Sequence, residues 1–203
     1  MTRPSRRSVI AAAIGALALA GGAGAAPAAG DMALGDPKAK VTVVEYASAS
    51  CSHCAAFHNE VFPAFKAKYV DTGKVRYVLR EILTDPVDFA AAGFLTARCA
   101  GDDKYFAVLG ELYAGFPDLI RTGDARSALL RAGAAGGLDE AKVAACITDQ
   151  AAMQALHTRV DAAGREGEIR ATPTFFINGR KVAEGPMTLA QLDAAIAAAA
   201  KAK

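Results

Sequence analysis

The 203 residues hold 23 Lys and Arg against 21 Asp and Glu, a formal net charge of +2, and 53% of them are hydrophobic. Arg3, Arg6 and Arg7 fall in the first 25 residues, where no acid offsets them, so the remainder carries 20 basic against 21 acidic side chains. The basic excess therefore belongs to the N-terminus, and charge gives no ground for a nucleic-acid partner. The remaining length suits one domain with a good core, or a smaller domain with an insertion.

Taken from its start, the chain opens as an export signal. The three arginines precede an apolar run, Val9 to Ala20, and small residues follow, with Ala-x-Ala sites at Ala23-Gly24-Ala25 and Ala26-Pro27-Ala28. That run is too short to cross a bilayer and has the order of a cleaved leader, residues 1–25. Ser5-Arg6-Arg7 also resembles a twin-arginine signal, so the leader fits either the Sec or the twin-arginine route. The expected location is periplasmic, with the processed protein soluble. All four cysteines follow the leader, and an even count in an exported chain favours disulfides.

Residues 26–40 are short and rich in Ala, Gly and Pro, with a turn at Gly35-Asp36-Pro37 and no room for an added dimerisation segment, so a monomer is expected. Val41 to Tyr46 reads as a buried strand. Cys51-Ser52-His53-Cys54 follows it and opens a helical pattern carrying Phe57, Val61, Phe65 and Tyr69, which Pro63 should kink or interrupt. Asp71-Thr72-Gly73 ends the helix and Val75 to Arg80 supplies a second strand. From Pro86 to Gly164 the chain turns Ala- and Leu-rich with helical spacing, read as four or five helices. Thr174 to Ile177 is then a strand, Asn178-Gly179 a two-residue hairpin turn, and Arg180 to Ala183 the returning strand. Gly185-Pro186 opens a last helix with Leu189, Leu192 and Ile196 on one face. This order builds an α/β fold, a mixed sheet with helices on both faces.

Two cysteines on the first turn of a helix after a strand form a dithiol–disulfide switch. The helix N-terminus favours thiolate at Cys51, the exposed candidate nucleophile, while Cys54 is shielded and resolves the mixed disulfide. His53, between them, can add positive charge or a hydrogen bond. Half of a zinc ribbon shows the same spacing, and His58, four residues on, invites that reading. A fourth ligand is lacking, however, because Cys99 and His157 lie on remote helices; no metal is expected, and His58 is expected to be an exposed helix residue. Glu45, six residues before Cys51 in an apolar strand, would favour its neutral form if buried and could exchange a proton with Cys54 through water. Thr172-Pro173 precedes the third strand, where an X–Pro bond can be cis and leave its neighbour free to bond an extended peptide. Cys99 and Cys146 fall in helical segments and read either as buried free thiols or as a bridge closing the insertion, the oxidising compartment favouring the bridge.

The CxxC, the stretch Ala171 to Gly179 and the helical region between them resemble periplasmic thiol–disulfide oxidoreductases of the DsbA type, most closely an alpha-proteobacterial branch, over roughly residues 38–200. The resemblance implies a thioredoxin fold, in two parts at 26–84 and 166–203, around an inserted helical domain at 85–165. It also implies a proton-transfer role for Glu45 and a cis Pro173 facing the CxxC, with the Thr172 backbone touching substrate. No cofactor is implied. Partners would be unfolded or reduced exported proteins and a membrane quinone-linked reoxidising protein of the DsbB type. Two positions depart from the family: Ser52 replaces its common loop proline, and Thr172 stands where strong oxidases often carry valine. The leading expectation is a dithiol oxidase; alternatives are an isomerase or reductase on the same fold, and a metal- or peptide-binding module.

Overall fold

The computed structural model describes residues 30–202; the expected leader lies outside them. Five strands form one sheet: β1 Met32–Leu34, β2 Val41–Ala47, β3 Val75–Glu81, β4 Thr174–Ile177 and β5 Arg180–Glu184. Their order across the sheet is β1-β3-β2-β4-β5, with β2 and β3 parallel and the other neighbours antiparallel. Strand alternation divides the side chains between two faces. Val43, Ala47, Tyr77, Leu79, Phe175 and Ile177 join the larger core, and Val44, Tyr46, Val78 and Phe176 pack on the other side with Ala163. β2 is thus central and covered on both faces, which its nearly unbroken apolar sequence requires.

The helix after the cysteines is segmented: α1 Ser52–Glu60, α2 Phe62–Phe65 and a π-helical turn Lys66–Val70, closed by Asp71 N–H on Lys66 O at 2.9 Å. The break falls at Val61, two residues before the proline held responsible for it. Pro63 has no N–H to give, so it sits in the first turn of the new helix, where none is needed.

Six helices, rather than four or five, separate β3 from β4: α3 Val87–Cys99, α4 Tyr105–Ala114, α5 Phe116–Thr122, α6 Ala125–Ala135, α7 Glu140–Thr148 and α8 Gln150–Gly167. The short α5 and the separation of α7 from α8 at Asp149 account for the difference. Asp149 caps α8 by accepting from Ala151 N–H and Ala152 N–H. α3 lies close under the loop before the CxxC because Gly93 has no side chain; a Cβ there would stand 2.9 Å from Ala49 Cβ and 2.7 Å from Leu112 Cδ2. Cys99 and Cys146 are bonded, joining α3 to α7 with Cα atoms 6.0 Å apart.

Asn178 and Gly179 take φ of 47° and 82°, the left-handed pair that a two-residue hairpin demands. The last helix, α9 Leu189–Lys201, begins after Thr188, which forms a capping box with Gln191; Gly185 and Pro186 belong to the approach. β1 was not anticipated. It pairs Met32, Ala33 and Leu34 with Leu79, Val78 and Tyr77 and covers the edge of β3. No helix among the described residues is long and apolar enough to cross a membrane.

Candidate active site

β2 ends at Ala47, and the chain turns through Ser48-Ala49-Ser50 into α1. Short polar side chains fix that turn. Ser50 Oγ donates to Thr84 O at 2.8 Å, Thr84 N–H donates to Ser48 Oγ at 3.2 Å, and Tyr113 OH donates to Ser48 O at 3.1 Å. The loop is thereby tied to the end of β3 and to α4. None of these residues was singled out from sequence, because each bonds to a residue far along the chain.

Cys51 is itself the N-cap of α1. Its Sγ accepts from Cys54 N–H at 3.2 Å, and as a thiol it donates to Thr172 O at 3.3 Å. The Thr172–Pro173 bond is cis, so the loop before β4 faces the first cysteine. Both thiols are free, with Cys51 9% exposed and Cys54 fully buried. Their acidities diverge. The Cys51 thiol is lowered to about 6, first by the hydrogen bond from the Cys54 thiol, against burial, and further by the Thr172 side chain and the N–H groups of Cys54 and His53. Cys54 is pushed far up by burial, then by its bond to Cys51 and the charges of Glu45 and Cys51. One helical turn therefore holds a stabilised thiolate and a thiol that keeps its proton.

His53 is exposed, and its contribution to Cys51 runs through its backbone N–H, not through a hydrogen bond from the ring. Glu45 is fully buried on the larger-core face of the central strand. Its Oε2 accepts from Tyr77 OH at 2.6 Å and lies 3.1 Å from His58 Nε2, while its Oε1 is buried with no hydrogen-bond partner among the described residues. Burial holds Tyr77 well above the ordinary phenol range, so it serves as a neutral donor.

His58 corrects the expectation of an exposed helix residue. Its side chain is 6% exposed, with the ring 4.6 Å from both the Phe62 and Tyr113 rings, and its Nε2 turned to Glu45. The spacing Cys54, Phe57, His58, Val61 places it on the inward stripe of the helix; α4, whose position no local pattern discloses, closes over it. Of the three further donors weighed for a zinc site, His58 lies on Glu45 and Cys99 is in its bridge.

A family profile described as Thioredoxin matches residues 28–198. A Rickettsia typhi protein with the provisional name protein-disulfide oxidoreductase is 35% identical over 150 residues, 73% of this chain and 55% of that protein. The chain spans about half the length of the curated relatives it matches. Among solved structures, alpha-DsbA1 of Wolbachia pipientis superposes with a TM-score of 0.76 at 29% identity, covering 86% of this chain and 94% of that one. A thioredoxin-like oxidoreductase of Silicibacter pomeroyi gives 0.65 at 28% identity, covering 85% and 94%. The expected thioredoxin fold with a helical insertion is borne out by these matches together with the strand order.

Proposed function

The chain belongs to the thioredoxin family, on its DsbA-type branch, and from that membership we propose that it is a thiol–disulfide oxidoreductase, acting as a dithiol oxidase on exported proteins. The observation that carries this reading is the divided acidity of the pair: Cys51 lowered to about 6 beside a Cys54 that holds its proton. In the oxidised protein a substrate thiolate attacks Cys51 Sγ, the Cys51–Cys54 bond breaks, and Cys54 leaves as a thiolate that takes up a proton. Glu45, buried and near enough for its charge to act on Cys54, is the group assigned to deliver that proton. A second substrate thiolate then attacks the substrate sulfur of the mixed disulfide, and Cys51 departs as a thiolate. The substrate leaves oxidised and the enzyme keeps two electrons. A stable Cys51 thiolate is a good leaving group, which speeds this step and raises the reduction potential.

The carbonyl of Thr172, beside the cis proline and 3.3 Å from Cys51 Sγ, is the group assigned to hold the peptide backbone. His53 would stabilise the thiolate from the solvent side. The Cys99–Cys146 bridge is assigned a structural role in the insertion, 85–165. The leader at 1–25 supports export to the periplasm, where reduced proteins would be the substrates and a DsbB-type membrane partner the reoxidant. Thr172 before the proline favours the second reading, an isomerase or reductase.

Equilibration with a glutathione redox buffer decides between them. A potential near that of strong oxidants, about −120 mV, fits the oxidase; a value near about −270 mV, where thioredoxin lies, would make the protein a reductant.

A further inference from the structure

Glu45 can supply Cys54 with a proton once and must then be refilled, although neither side chain reaches water. The titratable groups around the carboxyl are Cys54 and His58 on α1, Tyr77 on β3 and Tyr113 on α4. Both tyrosines are fully buried, and burial holds their phenols well above the ordinary range, so they keep their protons. His58 differs, because its side chain is 6% exposed. Its Nε2 lies 3.1 Å from Glu45 Oε2 and 3.4 Å from Tyr77 OH. Its other nitrogen, Nδ1, bonds to none of the described residues and is not among their buried unpaired atoms, so it lies at the part of the ring that water reaches. Phe62 and Tyr113, each with its ring 4.6 Å from the imidazole and tilted by 32°, hold that orientation.

One nitrogen turned to a sealed carboxyl and the other to water is the geometry of a relay. We propose that His58 is the proton conduit between solvent and Glu45, acting on Cys54 through the carboxyl and touching no substrate. The inference rests on the oxidoreductase reading and on the assignment of proton delivery to Glu45, and adds how that proton is supplied. When the Cys51–Cys54 bond breaks, the Cys54 thiolate takes the proton of Glu45. Nε2–H of His58 then gives a proton to the carboxylate, while Nδ1 takes one from water. On reoxidation Cys54 gives its proton to Glu45, Nε2 takes one back, and Nδ1 releases one to water. One proton enters with each reduction and leaves with each oxidation, and the imidazole returns to its starting tautomer. Histidine suits the task because its ring gains and loses protons near neutral pH.

Mixing reduced protein with a chromogenic aromatic disulfide, each half of which absorbs once released, separates the steps. The Cys51 thiolate releases the first half without moving a proton, at a pH well above the value of about 6 at which it titrates. Cys54 then attacks the Cys51 sulfur, releases the second half and sheds one proton, which a pH-indicator dye reports in weak buffer. In the wild type the dye and the second release should rise together. His58→Gln keeps a donor for Oε2 but cannot relay a proton; its first release should match the wild type, and its dye signal should lag the second release by about ten-fold or more in time. Turnover of folded His58→Ala, with a dithiol peptide as reductant and glutathione disulfide as oxidant, should fall and be restored by added imidazole, which fits the vacated space, but not by a bulky amine buffer. A wild type without a second release would sink the oxidoreductase reading itself. A second release unchanged in Glu45→Gln would remove the Glu45 assignment and the conduit with it. With both intact, a dye signal that keeps pace with the second release in His58→Gln overturns the conduit alone. So does an altered first release, which would make His58 a group that shapes the site, or a turnover of His58→Ala that imidazole leaves unchanged.

Discussion

Tyr77 donates a 2.6 Å hydrogen bond to Glu45 Oε2 across two neighbouring strands, and neither side chain reaches solvent. With His58 Nε2 on the same oxygen, the support from the described residues falls on Oε2 and none of it on Oε1. A buried carboxylate oxygen without a partner is costly, and proton exchange with Cys54 is a reason to retain one. Glu45→Gln should keep the packing and slow the step in which Cys54 leaves or attacks by about 10²-fold or more, in line with lost acid–base catalysis. Rapid-quench trapping of the mixed disulfide would show it accumulating. An unchanged rate for that step would leave Glu45 as a structural group only.

Tyr77→Phe separates support from proton transfer. It removes a donor from a buried carboxyl and should cost about 1–3 kcal/mol in denaturant unfolding. The cost should shrink in the Glu45→Gln background, because the two groups share one interaction. Additive losses in the double variant would show that they act independently.

How much of this was legible beforehand depends on whether a residue's state is set locally. The apolar run of β2, the CxxC at a helix start and the Asn178-Gly179 turn each carry their cause in adjacent residues, and the structure has them where the pattern put them. β1 has only Met32, Ala33 and Leu34 and no β-branched residue; it is a strand because the edge of β3 offers unpaired backbone groups. His58 was misjudged because a helix pattern tells which side chains share a stripe, but not that Tyr113 on α4 will cover the stripe's margin. Gly93 was not singled out, because its purpose is the approach of α3 to Ala49, which only the tertiary structure reveals.

Gly93 yields a prediction with two opposed terms. Gly93→Ala gains about 1 kcal/mol in helix propensity, but its Cβ meets Ala49 Cβ at 2.9 Å and Leu112 Cδ2 at 2.7 Å. Overpacking of a tight core costs about 1–3 kcal/mol, and Ala49 belongs to the braced loop two residues before Cys51. The net expectation is destabilisation in denaturant unfolding, with a change in the pH at which Cys51 reacts. A stabilised variant would show that the loop yields freely.

The Cys99–Cys146 bridge spans 47 positions. On the chain-entropy account, a loop of that size is worth about 4 kcal/mol, less whatever strain the bridge carries. Replacing both cysteines by alanine should lower stability by up to that amount and leave the glutathione equilibrium of Cys51 and Cys54 unchanged, since the bridge joins α3 to α7 away from the site. A shift in that equilibrium would tie the insertion's bridge to the redox couple.

The last expectation concerns pH and the direction of electron flow. Cys51 titrates at about 6 in the folded, reduced protein, against about 8.5 for an unfolded thiol. The unfolded chain therefore holds one more proton than the fold between those values, and the reduced protein should gain stability over the oxidised as pH rises through that window. This contribution is fully present above about 8.5 and lost as pH falls through about 6. Cys54 acts oppositely, because burial keeps it protonated in the fold after the unfolded thiol has ionised. The gap between reduced and oxidised stability should thus peak near pH 8.5. Each unit of lowering on Cys51 corresponds to about 1.4 kcal/mol, or about 30 mV when fully expressed in a two-electron couple, and screening at a partly open site reduces both. His53→Ala should narrow the gap only slightly, since an exposed side chain contributes little through solvent and the ring makes no bond to Cys51. Denaturant unfolding of both redox forms from pH 5 to 10 provides the measurement. An oxidised form more stable than the reduced form at neutral pH would make the protein a reductant and overturn the oxidase reading.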